Sequence, residues 1–306
     1  MKLKKIRSVL FVDTRATATK SAQDIVKAIW AWDEKTVPQW IADLADFDVL
    51  DVAETTKRAE LRSAAAAWDG TLTSIKQITL DVVRLGRTRF RKQPAKLKHF
   101  EVLKTNARSR QDVYDQGREL EKAWLQTDAA WEPLDDVTTA VLGSTLAAAM
   151  ALADTHVTKK AQWRTAAADL YNKARELDED NVAWYTAATT RFPAGTTQGD
   201  MIRSTVPTTY NPPSPVGQSV LSHLMVQNNS IHFDCDAPHA TKFTYLYKAP
   251  DSPVFVVVTA LTKDRSLTME NLGPGVHRFK AFGRNSGGEG PESEVLEVTL
   301  AQAQAA

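Results

Sequence analysis

Cysteine is almost absent from this sequence. Cys235 is the only one among 306 residues. A single thiol excludes an intrachain disulfide and any zinc site that needs several cysteines. This cysteine content fits a reducing compartment, although it does not require one.

Cys235 lies in the segment HFDCDAPH, in which His232 and His239 are further candidate metal ligands. Side chains alternate between the two faces of a strand. Cys235 therefore shares a face with the apolar Ile231 and Phe233, while His232 points to the other side. Because free cysteine usually packs as a small apolar residue, we expect a buried, inert thiol rather than a ligand or a nucleophile.

Long apolar runs are also missing. The apolar stretch Val9–Val12 follows basic residues but ends at Asp13, and it is too short for a signal peptide. No stretch approaches the ~18 apolar residues that a spanning helix needs. We therefore expect a protein without a membrane span that is cytoplasmic by default, with leaderless export or surface assembly as alternatives.

The chain has no excess of either charge and no familiar catalytic motif. Its 38 basic and 37 acidic residues give a net charge of +1, so no overall field favours nucleic acid or an anionic membrane. The motifs HExxH, GxSxG and GxGxxG do not occur. The sequence predicts a non-catalytic protein with no catalytic residues, no metal site and no cofactor.

Helical spacing dominates the first two thirds of the chain. Over most of residues 16–203, apolar residues recur every three or four positions. Gly70 weakens one of these helices without ending it. Pro38, Pro94 and Pro133 each predict a helix start, since proline suits the first turn. This pattern predicts an elongated antiparallel helical bundle, with the tryptophans filling its core.

The helical stretch after Pro133 is too long for an ordinary globular helix. It predicts either a break near Asp154–Thr158 or one unusually long helix. We interpret the acidic run 178–180 as caps and dipole partners at a helix start. Thr196 or Thr197 is expected to cap a short final helix.

Composition and periodicity divide the chain further along. The sequence predicts a helical bundle domain over 1–205, a semi-rigid proline-rich linker over 206–216 that spaces two domains, a β-domain over 217–301 and a tail over 302–306. After residue 217, six short strand candidates separated by turn residues replace the helical spacing. The fold class is therefore multidomain α+β.

The segment NLGPGVHRFKAFGRNSGGEGPES resembles the last part of a fibronectin type III domain. The resemblance covers about residues 217–301 and implies a β-sandwich. In this family, the modules generally supply stiff spacing or protein contacts. Two positions depart from the family pattern: His277 stands where a corner tyrosine is expected, and Cys235 stands where a buried tryptophan is expected. The matching residues are Leu272, Pro274, Gly275, Phe279, Asn285, Gly288, Gly290, Pro291 and Ser293.

Two nine-residue segments resemble each other. DVYDQGREL covers residues 112–120, and DLYNKAREL covers residues 169–177. One interpretation is a duplicated helical hairpin. The other is chance, because amphipathic helices reuse few residue types.

The strongest charge feature is RLGRTRFRKQPAKLK, a basic segment at a predicted hairpin tip. One hypothesis is a docking surface for an anionic partner. The alternative is a solvated helix end, where cations are favoured. Phe90 and Phe100 are the only candidates for stacking on nucleic-acid bases. The basic residues are Arg84, Arg87, Arg89, Arg91, Lys92, Lys96 and Lys98.

These observations favour a non-catalytic structural or interaction protein, in which a helical rod presents a fibronectin III-like module. Its expected partner is another protein or a further copy of the chain, and nucleic acid is disfavoured. The second hypothesis is a carbohydrate- or polymer-binding accessory protein, because bacterial enzymes that act on polysaccharides often carry similar modules. It predicts exposed aromatic residues in a row. The third is anion or nucleic-acid binding through the basic tip 84–98.

Overall fold

The structure is a computed structural model that describes residues 9–207, 214–285 and 287–301. In these residues an N-terminal helical region precedes a C-terminal region of antiparallel strands, so the predicted α+β organisation is confirmed at this level. The helices are α1 (Val9–Val26), α2 (Val37–Arg89), α3 (Pro94–Glu101), α4 (Arg110–Asp128), α5 (Thr139–Arg191) and α6 (Thr197–Thr205). The strands are β1 (Val220–Gln227), β2 (Ser230–Asp236), β3 (Lys242–Lys248), β4 (Val256–Thr262), β5 (Ser266–Met269), β6 (Gly275–Asn285), β7 (Gly288–Glu289) and β8 (Leu296–Leu300).

Helices α2 and α5 each contain 53 residues. Helix α2 includes Pro38 in its first turn and continues through Gly70, as expected for a glycine that weakens a helix without ending it. Helix α5 runs without interruption through 154–158, so the alternative of one unusually long helix is correct.

Local chemistry explains several helix ends. Pro94 occupies the first turn of α3, and the Thr196 side chain caps α6 by accepting a hydrogen bond from the Gly199 N–H. Ser109 and Asp112 form a capping box at the start of α4. The predicted helix start at Pro133 is wrong, because a turn intervenes and α5 begins at Thr139.

The chain forms two compact units, Met1–Glu60 with Gln162–Ala306 and Leu61–Ala161. The predicted domain boundaries stay predictions. Residues 208–213 of the predicted linker and the tail 302–306 lie outside the described residues.

In the unit Leu61–Ala161, parts of α2 and α5 pack with α3 and α4 around an aromatic core. Phe90 and Phe100 stack with 5.6 Å between ring centroids, and the Trp131 ring meets each of them edge-on. Trp124 is fully buried beside them and donates its indole N–H to the Trp131 carbonyl oxygen. The prediction that tryptophans fill the core is confirmed here.

In the other unit, α1, α6 and parts of α2 and α5 share a second core that includes Trp40 and Trp184. The acidic run 178–180 lies inside α5, so its interpretation as a cap at a helix start is wrong. These acids instead bind cations from other elements. Asp178 contacts Arg15 of α1, and Asp180 contacts Lys35, which precedes α2.

The strands form two antiparallel sheets that share one core. The first has the order β1-β2-β5; in the second, β4-β3-β6 continues to β7, and β8 also pairs with β6. Phe233 of the first sheet meets Tyr245 and Phe279 of the second at 6.0 and 5.1 Å between ring centroids. The sequence does not predict β1, whose residues VLSHLMVQ show no clean alternation.

Candidate functional site: the docking interface on helix α2

The outer face of the second sheet carries buried apolar residues. In β6, Phe279 and Ala281 face the core between the sheets, and the alternation directs Phe282 outward. Phe282 and Leu246 are nevertheless buried, because they pack against Ala59 of α2. An outer sheet face is usually polar when it meets water. This contact therefore makes α2 a third layer, and we call it the docking interface.

A buried ion pair lies beside this apolar contact. Arg284, the outward-facing residue two positions after Phe282, places Nη1 2.9 Å from Asp51 Oδ1 of α2. The same nitrogen donates a hydrogen bond to Thr55 Oγ1 at 2.8 Å. The Arg284 and Asp51 side chains are only 8% and 3% exposed. Replacing Arg284 would leave the Asp51 carboxylate buried without its cation, which is strongly destabilising.

Two further ion pairs extend the docking interface along α2. Lys242 Nζ of β3 lies 3.5 Å from Asp48 Oδ1. Arg58 places one guanidinium nitrogen 3.0 Å from Glu289 Oε1 and another 2.6 Å from Glu54 Oε1. The interface thus combines an apolar patch with charges of both signs, contributed by α2, β3, β6 and β7.

Helical spacing aligns the α2 side of this surface. Asp48, Asp51, Thr55 and Arg58 follow one another at intervals of three and four residues, which place side chains on one face of a helix. Helix α5 supports the same face, since Trp163 donates its indole N–H to Glu54 Oε1 at 2.8 Å.

Burial changes the proton affinity of two carboxyl groups here. Burial raises the pKa of Asp51, and the nearby Arg284 offsets only part of that effect. Asp13 of α1 faces the same cluster; burial, followed by repulsion from Asp48, raises its pKa as well. Burial opposes ionisation of Arg58 too, but Glu289 and Glu54 outweigh this and raise its pKa.

The residues of the predicted basic segment differ in the contacts they make. Arg87 donates hydrogen bonds to the carbonyl oxygens of Phe100, Glu101 and Leu103. It therefore provides donors for backbone carbonyl groups at the end of α3. Arg84 pairs with Asp81 at 3.3 Å. These two arginines therefore make local contacts, and the role of the basic segment stays a prediction.

Arg89 and Lys96 each lie 4.0 Å from Asp128, and both lie over the Phe90 ring. Arg91, Lys92 and Lys98 are exposed and have no ion pair within the part of the chain that the structure describes. Phe90 and Phe100, the two candidates for base stacking, are buried and therefore not available to stack on bases.

Cys235 is buried in the core between the sheets, as predicted, together with Ile231 and Phe233. Burial raises the pKa of its thiol to about 11, so the reactive thiolate is scarce at neutral pH. His232 lies on the opposite face and hydrogen-bonds Thr268 Oγ1 through Nδ1. Within the described ranges, no group of three or more His, Cys, Asp or Glu side chains is placed to hold a metal ion.

Strand β1, at the edge of the first sheet, exposes apolar side chains. Leu224, Met225 and Val226 are all exposed in its second half. The pairing with β2 is irregular between Ser222 and Met225. An open groove of about 430 Å³ lies beside the first half of the strand. The full strand contains no Asp, Glu, Lys or Arg.

The two similar segments occupy equivalent environments in separate cores. Gly117 and Leu120 of α4 are buried, as are the corresponding Ala174 and Leu177 of α5. This shared burial is what either a duplication or two amphipathic helices would produce, so the duplication stays a prediction.

One described helix, α5, is long enough and contains a stretch apolar enough to cross a membrane by length and composition alone. Such a single helix is weak evidence for a span. In the 18-residue stretch of α5 that is apolar enough, 17% of the residues are buried.

Comparison with known proteins gives no family assignment. No protein-family model and no curated protein matches this chain. A solved structure described as "Myokine structure" is 18% identical; the match covers 28% of this chain and 96% of that chain, with a TM-score of 0.23. A similarity at this level supports no argument about the fold.

Proposed function

We propose that this chain is a non-catalytic structural protein, with a fibronectin III-like β-region docked on α2 and an open edge, β1, that contacts a second copy. The two antiparallel sheets with a shared core support the β-sandwich part of the proposal. His277 supports it too: it is buried, and its Nε2 lies 2.8 Å from the Gly273 carbonyl oxygen. A corner tyrosine makes the same kind of hydrogen bond to upstream backbone.

The main support for this proposal is that one surface of the β-region is covered, whereas another is exposed. The second sheet is covered by α2, whereas β1 leaves Leu224, Met225 and Val226 exposed. Charge is one device that prevents edge strands from pairing. Neither edge strand, β1 nor β4, contains Asp, Glu, Lys or Arg, but β1 exposes three successive apolar side chains. Two antiparallel copies of a strand without Asp, Glu, Lys or Arg bring none of these charges together, and a two-fold axis pairs the same strand of each copy. A second copy is therefore the occupant that we propose.

Light scattering coupled to size-exclusion chromatography over a concentration series tests this proposal. We expect the wild-type chain to dimerise with rising concentration. Val226→Lys should weaken the dimer by about tenfold or more, because it places a charge on the pairing edge. Val256→Lys is the matched control, since Val256 lies on edge strand β4 of the other sheet and is 46% exposed against 44% for Val226. A wild-type chain that stays monomeric, or equal effects of both variants, would reject the proposal.

A second candidate function is anion binding by Arg91, Lys92 and Lys98. The observation that favours it is the exposure of these three cations around the start of α3, without an ion pair in the described residues. The carbohydrate-binding hypothesis has less support, because no described aromatic side chain is fully solvent-exposed and no row of exposed aromatics is seen.

A further inference from the structure

The docking interface contains more carboxylates than cations. Within the described residues named above, five carboxyl groups face three cationic side chains. The helix contributes most of the acid, and the sheets contribute two of the three cations. The carboxyl groups belong to Asp13, Asp48, Asp51, Glu54 and Glu289, and the cations to Arg58, Lys242 and Arg284.

The imbalance is sharpest around Arg284. Asp13, Asp48 and Asp51 form a group on α1 and α2, and the cations that face it among the described residues are Lys242 and Arg284. Asp51 is almost completely buried, so water does not hydrate its carboxylate, whereas the Asp48 side chain is 61% exposed. One bound proton would reduce the negative charges of this group to two, which equals the number of cations that face it.

We propose that the docking interface is a proton-linked latch: the docked β-region retains a proton on the Asp13 and Asp51 group and releases it when the region leaves α2. On release the carboxyl groups become hydrated and ionise, so the proton passes to water. Docking and proton uptake then occur together.

The direction of the pH effect follows from linkage. The pKa values of Asp13 and Asp51 are raised in the docked structure, mainly by burial. Such a carboxyl group binds its proton more tightly when docked, so its contribution is fully present below the ordinary pKa of the carboxyl group. The contribution is lost as the pH rises through the raised value. Each unit of pKa difference changes the docking equilibrium by about tenfold.

Asp43, another carboxyl group in the same unit, has a pKa shifted in the opposite direction. Burial opposes ionisation of Asp43, but hydrogen bonds from Lys173 and Lys35 lower its pKa. Its contribution is present above the ordinary carboxyl pKa and is lost as the pH falls. An experiment must therefore report docking itself rather than the stability of the whole chain.

Thiol labelling of the full-length chain provides such a readout. Ala59 is 1% exposed under Phe282 and Leu246, so the thiol of Ala59→Cys reacts only when the β-region leaves. The exposed Val52 of the same helix gives the reference Val52→Cys, which corrects for the pH dependence of thiol reactivity. The native Cys235 adds little background, because it is buried and its pKa is about 11.

We expect the corrected labelling rate of Ala59→Cys to rise severalfold as the pH rises from the ordinary carboxyl pKa of 3.8 through the raised pKa of Asp13 and Asp51, because proton release favours the undocked state. Adding Asp51→Asn should remove most of this rise, since the amide mimics a permanently neutral carboxyl. Asp43→Asn should leave the rise unchanged. A rate that is constant or falls with pH would overturn the proposal, as would an unchanged rise in Asp51→Asn.

Two further variants keep the test decisive. If Asp51→Asn does not fold, Asp13→Asn replaces it and must reduce the pH dependence. If the cysteine at position 59 prevents docking, Leu246→Cys reports the same contact from the sheet side, with Val256→Cys as its exposed reference. These measurements are made on monomer at low concentration, so they do not depend on self-association through β1.

Discussion

Phe282 shows at the residue scale what the sequence predicts and what it leaves open. Alternation in β6 places Phe279 and Ala281 on the same face, and in the structure this face lines the core between the sheets. Alternation also directs Phe282 outward, to the face on which a strand usually carries polar residues. The partner of Phe282 there is Ala59, which lies far away along the chain and carries no signal of its own. An apolar residue on the polar face of a strand is the signal by which this contact could have been found.

Two glycines in the unit Leu61–Ala161 provide a prediction at the same scale. A Cβ at Gly117 would lie 2.6 Å from Ile75 Cγ2 and 3.0 Å from Leu146 Cδ2, whereas a Cβ at Gly70 would meet nothing within 4 Å. Gly117→Ala should therefore destabilise the chain by about 1–3 kcal/mol through overpacking. Gly70→Ala should stabilise it by up to about 1 kcal/mol, because alanine favours helix.

Urea unfolding followed by circular dichroism measures both variants. The two substitutions are chemically identical, so opposite signs would establish that close packing of α4 decides the effect. A Gly117→Ala chain as stable as Gly70→Ala would show that α4 does not approach Ile75 and Leu146 in this way.

At the scale of elements, spacing identifies helices better than it identifies their ends. The sequence correctly predicts a helix start at Pro38, but it does not predict that this helix continues to Arg89. It also predicts most of the strands but not β1. Alternation detects a strand that is buried on one face only, and β1 exposes apolar residues instead.

The segment joining α2 to α3 allows an element-scale test of anion binding. Replacing Arg91, Lys92 and Lys98 by Glu should abolish salt-sensitive binding to immobilised polyphosphate or duplex DNA, because these exposed cations are free to contact phosphates. If all three bind phosphate in DNA, the logarithm of affinity should fall with the logarithm of salt concentration with a slope of about 3. Polyphosphate and DNA are compared separately to distinguish the source of phosphate.

Arg118, Lys122 and Lys160 form a matched control set for this experiment. They are exposed, belong to the same unit and give the same change of charge when replaced by Glu. Equal loss of binding in both triple variants, or no binding by the wild-type chain, would reject anion binding through the segment. Arg87 is excluded from the variants, because it holds the end of α3.

At the scale of the whole molecule, composition and periodicity predict the order of a helical and a β-region but not the contact of the strands with α2. A proline-rich connection favours a module held away from its neighbour. The structure instead places Phe282 and Arg284 directly against α2. Each α2 residue in this contact is ordinary for a helix surface, and only the fold brings Asp51 beneath Arg284. Phe282 signals that the outer face of the sheet is covered, but no local pattern identifies α2 as the element that covers it.

The most direct test of the account is the labelling rate of Ala59→Cys in the folded full-length chain at one fixed pH. We predict that it reacts at least about tenfold more slowly than Val52→Cys, since docking must open before the thiol is reached, and that adding Phe282→Asp removes this protection. An Ala59→Cys thiol that reacts as fast as Val52→Cys, with the fold intact, would contradict the docking of the β-region on α2.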